Sequence, residues 1–269
     1  MIIMKTLIYF LMAIVVVLFQ AANNASGQTR GEVSQKTVQL NLVHLKSNDY
    51  EKRLQAANYF DQLSNADLNP EIFKAAIDAL KQEIEQTNGI FKIEKSNGSG
   101  EAEAEAYGMY MGSLCNIIGK SNNKEALPLL VDRCMSSEGL LRFGDDAAIL
   151  LLNVLTTNSN DFNKTNAISI LGVMLQPKTT GYVATGEVRS KIKKTLIQTL
   201  SANDLYIKMA SVRAIGNSED KDMQHVLENI ANNDGVHFLK KDKATGKEID
   251  RYPVREEAKK ALMKFKSAQ

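Results

Sequence analysis

The chain has 269 residues, 44% hydrophobic and 24% charged, a usage that supports a buried core and excludes a chain disordered by default. Lysine and arginine number 33 against 31 acidic residues, so there is no basic excess of the kind that recruits nucleic acid.

The N-terminal segment reads as an address, separate from the fold. After Met1 to Thr6, with Lys5 as its one charge, an apolar run extends from Leu7 to Phe19, about 13 residues, shorter than a comfortable membrane span and suited to a signal-peptide core. Polar Gln20 to Gln28 follows, with small residues at Ala25-Ser26-Gly27, so cleavage is expected after Gly27. That leaves residues 28–269 as one domain, exported to a periplasmic, cell-envelope or secreted location. The competing reading is an uncleaved anchor running from Ile2 to Phe19, which makes the protein a membrane-tethered adaptor.

From there the pattern is helical. Glu32 to Lys46 is expected as a capping helix, with Val38, Leu42 and Leu45 on one side. Asp49 is placed as an N-cap before the next helix, and Asn69-Pro70 opens its return helix, which runs to about Thr87. Glu101 to Gly119 and Lys124 to Met135 form a second hairpin, with Pro128 tolerated in a first turn. Glu138 to Leu155 is apolar on most sides and is expected to lie between neighbours. Asp161 to Leu175, Glu187 to Leu200, Asn203 to Gly216, Lys221 to Ala231 and Pro253 to Lys266 complete the set.

Several of these helices share one stripe. A basic or long residue is followed at fixed helical offsets by small and apolar ones in Arg53, Ala56, Phe60, Leu63; in Lys164, Ala167, Leu171, Met174; and in Arg255, Ala258, Leu262, Phe265. Lys208, Ser211 and Ile215 give three positions of it, and Met111, Leu114 and Ile118 a degraded copy. Anchors roughly 44 to 58 residues apart match a stacked helical array lengthened by insertions.

Three stretches interrupt the helices: Gly89 to Gly100, Pro177 to Gly186 and Gly235 to Tyr252. The third has Val236 and Phe238 on one arm, Ile249 and Tyr252 on the other and Ala244-Thr245-Gly246 between, which reads as a β-hairpin. The first and third both follow a return helix, so they are expected on the same edge of the array.

The run Ile207 to Gly216, with Pro253-Val254-Arg255 and Ala258 to Leu262, resembles the HEAT and HEAT-like repeat of the phycobilisome-lyase type. The match is best in the last third, passable at Arg53 and Lys164, and weak at Met111, where Gly119 survives but the basic residue does not. The resemblance implies an all-α fold, a right-handed α-α superhelix with short hairpin or loop insertions, and a scaffold that binds protein more often than an enzyme. A bilin-lyase-like enzyme is the catalytic alternative it leaves open.

Searching for chemistry yields little. His44, His225 and His237 show no metal-ligand spacing, and no cofactor motif is present. Gly181 to Gly186 has phosphate-loop glycines, but Glu187 stands where a phosphate needs lysine. Asn232 to Gly235 imitates part of a calcium loop, yet Ile230 and Lys241 occupy positions that need carboxylates. Glu101, Glu103 and Glu105 splay around a helix and suit its first-turn dipole better than a carboxylate pair. Cys115 and Cys134 are expected as buried thiols, because their offset across a helical hairpin, roughly 7 Å along the axis, is too large for easy bridging.

What remains is recognition. The insertions carry Phe91 and Lys92 in the first, and Phe238, Lys240, Lys241, Lys243 and Lys247 in the third, as candidate contacts for a protein partner. Lysine on a hairpin edge also keeps that edge soluble, and Asp242, Glu248 and Asp250 offset the charge.

Overall fold

A computed structural model describes residues 34–87, 100–133, 137–157, 161–176, 182, 184–241 and 247–267. The described chain is mostly helical. Its helices are α1 (Gln35–Leu45), α2 (Tyr50–Gln62), α3 (Pro70–Thr87), α4 (Gly100–Lys120), α5 (Leu127–Arg133), α6 (Ser137–Leu141), α7 (Gly144–Thr156), α8 (Asp161–Met174), α9 (Gly186–Thr199), α10 (Leu205–Ser218), α11 (Gln224–Asn233) and α12 (Pro253–Ser267). Short 3₁₀ turns at Lys124–Ala126 and Lys221–Met223 lead into α5 and α11, and strands β1 (Phe238–Lys241) and β2 (Glu248–Arg251) pair between α11 and α12. By contacts the chain divides into Met1–Gln39 and Leu40–Gln269, a boundary that falls inside α1; the packed helices from α2 to α12 all belong to the second unit.

Local sequence starts these helices where capping chemistry dictates. The Asp49 carboxylate accepts hydrogen bonds from the Glu51 and Lys52 amides, and Asn69 Oδ1 accepts from the Ile72 amide at 2.9 Å, satisfying donors that have no partner inside the helix. Asp204 does the same for Ile207 at 2.8 Å.

The helices then pack in two rows. Neighbour contacts run α2 to α4, α4 to α6, α6 to α8, α8 to α10 and α10 to α12, while α5, α7 and α9 follow one another on the other side. Most of the repeated stripe is core: Ala56, Phe60, Ala167, Leu171, Met174, Ser211, Ile215 and Ala258 are buried, whereas Leu63 and Leu262 are only partly covered. Small residues set the spacing. A Cβ built on Gly172 falls 2.7 Å from Ala214 Cα, and one on Gly216 falls 2.5 Å from Ala261 Cβ, so α8, α10 and α12 approach more closely than larger residues allow. Gly119 faces Gly139 in the same way, which brings α4 against the short α6.

One expectation needs correction. The apolar run from Glu138 to Leu155 is two helices, α6 and α7, broken at Gly144, whose φ of 55° lies in the left-handed region. The Tyr182 ring packs 3.1 Å from where a Gly144 Cβ would be, and its hydroxyl bonds Asp145. The split makes α6 and α7 a third two-helix unit, with α6 in the first row and α7 in the second.

Basic anchors of the stripe hold the turns. Arg53 donates to the Ser47 and Asn48 carbonyls at 3.0 and 3.2 Å and pairs with Glu83 of α3 at 3.1 Å. Lys208 pairs with Asp234, just after α11, at 3.2 Å, and Arg255 Nε donates to the Asp234 carbonyl at 2.5 Å. Asp234 therefore takes one cation on its carboxylate and another on its carbonyl, and Val236 N donates to its carboxylate at 3.0 Å.

Candidate protein-contact site

The hairpin between α11 and α12 is antiparallel, with Phe238 opposite Arg251, Leu239 opposite Asp250, Lys240 opposite Ile249 and Lys241 opposite Glu248. Because side chains alternate across a strand, one face carries Phe238, Lys240, Ile249 and Arg251, and the other His237, Leu239, Lys241, Glu248, Asp250 and Tyr252. Of the candidate residues, Phe238 and Lys240 share the first face and Lys241 projects from the second. Lys247 is exposed at the start of β2. Phe91, Lys92 and Lys243 lie outside the described residues, as does Cys134; Cys115 is buried.

The base of this hairpin is held firmly. Arg251 grips Glu256 of α12 with both Nε, at 2.6 Å, and Nη2, a forked geometry that fixes orientation as well as distance. That hydrogen bonding holds the Glu256 carboxyl below the usual carboxylate range and raises the Arg251 guanidinium. On the opposite face the His237 ring stacks on Tyr252 at 5.4 Å and reaches Asp250 at 3.0 Å, while the Arg255 guanidinium sits 4.2 Å over the Tyr252 ring. The stem therefore continues into the first turn of α12, where Pro253 suits the first helical position and Glu256 suits the dipole.

Its outer part is different. Phe238, Leu239 and Ile249 are 48%, 62% and 40% exposed, three large apolar side chains on a ribbon of eight paired residues. A two-stranded ribbon has no second layer to cover them, so they face solvent on a held support. Leu239 escaped the sequence reading because the alternation of Val236 with Phe238 drew attention to the other face. Tyr252 stands on the opposite face from Ile249, since an odd offset of three positions reverses the side of a strand.

A second set of exposed apolar residues emerges only with the repeat register. Met109, Phe162 and Tyr206 stand at one offset before the anchors Met111, Lys164 and Lys208, and all three are exposed on first-row helices. Repeat positions that the core does not need are thus apolar in three units.

The buried polar groups form no comparable open site. Tyr50 and Tyr110 meet edge to face at 5.8 Å, with the Arg53 guanidinium over both rings at 5.6 and 5.8 Å. Burial pushes the Tyr50 hydroxyl up to about 12 and that of Tyr110 further, so both phenols stay neutral. Burial also raises the Glu83 carboxyl against the opposing pull of Arg53. This cluster is core, with Tyr110 entirely covered. Among the described residues no three histidine, cysteine or acidic side chains lie together as a metal site, and no helix is long and apolar enough to cross a membrane.

Compared with known proteins, the chain matches no protein-family model and no curated protein sequence.

Proposed function

We propose that this protein is an exported, non-catalytic scaffold of HEAT-like type, a right-handed α-solenoid that binds a protein partner through the hairpin 238–251. The single observation that carries the reading is the contrast within the hairpin: a base pinned by Arg251–Glu256 and the His237–Tyr252–Arg255 stack, and beyond it exposed Phe238, Leu239 and Ile249. A fixed support lowers the ordering cost of binding, and apolar side chains on it supply contact area. The two rows of helices, the glycine contacts within the first row and the recurring basic anchors support the solenoid part of the proposal. Export rests on the Leu7 to Phe19 run and the small residues at Ala25 to Gly27.

The test replaces residues 240–247 by a short Gly-Ser turn. Because the helices stack without the ribbon, stability should change by less than about 1 kcal/mol. The altered chain should lose proteins that co-purify with the intact one from its own cell envelope. If it keeps every partner at unchanged affinity, the hairpin is not the contact, and the first-row surface bearing Met109, Phe162 and Tyr206 takes its place.

A further inference from the structure

Among the described residues the hairpin is a two-stranded sheet, so each strand has one edge whose backbone groups no third described strand satisfies. The edges differ in charge. β1 reads Phe-Leu-Lys-Lys with no acid, and among the described residues neither Lys240 nor Lys241 enters an ion pair. β2 reads Glu-Ile-Asp-Arg, and there Arg251 is taken by Glu256 and Asp250 by His237. The β1 edge therefore presents two lysines beside two exposed apolar residues, Phe238 and Leu239.

We propose that the β1 edge accepts an extended acidic segment of the partner protein as a third, antiparallel strand. This deepens the hairpin reading above and rests on it. Backbone hydrogen bonds supply attraction that is independent of sequence, and side chains at alternate positions supply the choice of partner. The register defines the segment. An antiparallel neighbour runs opposite Lys241, Lys240, Leu239 and Phe238 in turn, so it reads acid, acid, apolar, apolar from its N-terminus. On each face one acid then meets a lysine and one apolar side chain meets Phe238 or Leu239. β2 already meets part of that code, with Glu248 opposite Lys241. Apolar residues opposite both lysines offer no countercharge from the open side, and basic residues there repel them.

The experiment titrates the purified chain with fluorescent peptides sharing one flank and differing in their cores: Glu-Glu-Val-Val, Lys-Lys-Val-Val, and Glu-Glu-Val-Val with alternate amides N-methylated to remove strand hydrogen bonds. The acidic peptide should bind at least tenfold more tightly than either of the others and should slow amide exchange in β1. In the Lys240→Glu, Lys241→Glu double variant the preference should invert toward the lysine peptide. Both lysines are exposed, and a circular dichroism spectrum confirms that the variant folds. Equal binding of the plain and N-methylated acidic peptides overturns strand addition in favour of a side-chain contact. Binding of neither peptide overturns it too, leaving the lysines as guards against edge pairing. The chain shortened at 240–247 separates strand addition from the hairpin contact on which it rests. If it loses its native partner while no peptide binds the intact chain, strand addition fails and the hairpin reading stands; if it keeps the partner, both fail.

Discussion

Gly172→Ala tests how closely the first-row helices approach. The added Cβ would lie 2.7 Å from both Cα and Cβ of Ala214 and 3.0 Å from its carbonyl oxygen, whereas carbon atoms rest at about 3.5–4.0 Å. The nearest obstacles are backbone and the Cβ fixed to it, none of which can swing aside, so α8 and α10 must part by about 1 Å. Overpacking of this kind costs about 1–3 kcal/mol, while replacing a mid-helix glycine by alanine returns up to about 1 kcal/mol of helix propensity. The net expectation is a loss of about 1–2 kcal/mol. Gly112→Ala is the matched control: it also lies within a first-row helix, but a Cβ there meets nothing within 4 Å, so only the propensity gain of about 0.5–1 kcal/mol remains. Thermal and urea unfolding followed by circular dichroism should separate the two variants by about 1.5–3 kcal/mol, or about 3–12 °C in midpoint. If Gly172→Ala proves as stable as Gly112→Ala, the helices do not approach as described, and the small-residue explanation of the repeat fails with it.

Ala258→Glu places a charge on a buried position of α12 and should cost about 2–4 kcal/mol in urea unfolding; a change below about 0.5 kcal/mol would put that face at the surface. Tyr110→Phe should be neutral or stabilising by up to about 1 kcal/mol, because the buried hydroxyl finds no hydrogen-bond acceptor among the described residues, so a loss above 1 kcal/mol would reveal a partner there. Asp220 is bound by Arg189 and Lys193, both at 2.6 Å, and its Oδ1 accepts from the Asp222 amide. Burial alone would raise this carboxyl, but the two cations outweigh it and hold it below the ordinary range. A depressed carboxylate stabilises the fold above its unfolded value near pH 4, and that contribution is lost as pH falls through the lower folded value. Asp220→Asn should therefore lose about 1–3 kcal/mol at pH 7 and less at pH 3; an equal loss at both would show that charge is not the cause.

Much of the fold was legible because much of it is locally determined. Asp49 and Asn69-Pro70 announce helix starts through hydrogen bonds to amides two or three residues away, and those bonds are present. The hairpin was legible from its turn residues and alternation, both short-range signals. The break between α6 and α7 was not. Leu140, Leu141, Phe143 and Ala147 sustain an apolar pattern straight through it, and the residue that packs against Gly144 is Tyr182, far along the chain. Leu239 shows a related limit: its place opposite Asp250, on the face away from Phe238, follows from the strand register.

The basic anchors show where a legible pattern conceals its cause. Their recurrence marks the repeat, but nothing near Lys208 or Arg255 in sequence indicates that both reach Asp234, one at its carboxylate and one at its carbonyl. Arg53 has an equivalent task, with the Ser47 and Asn48 carbonyls and Glu83 as its partners. Among the described residues Lys164 pairs only with Asp161 of its own first turn, at 3.8 Å, a long contact to an exposed carboxylate that is of little worth. A cation at this position thus contributes where a turn brings acceptors to the helix start. The same cation can remain in the sequence where the turn does not. The hairpin grows from a junction where that clamp is fully engaged, since Asp234 precedes β1 and Arg255 follows β2. Its exposed strands are therefore carried on a turn tied at both ends, which is the condition that a rigid recognition element requires.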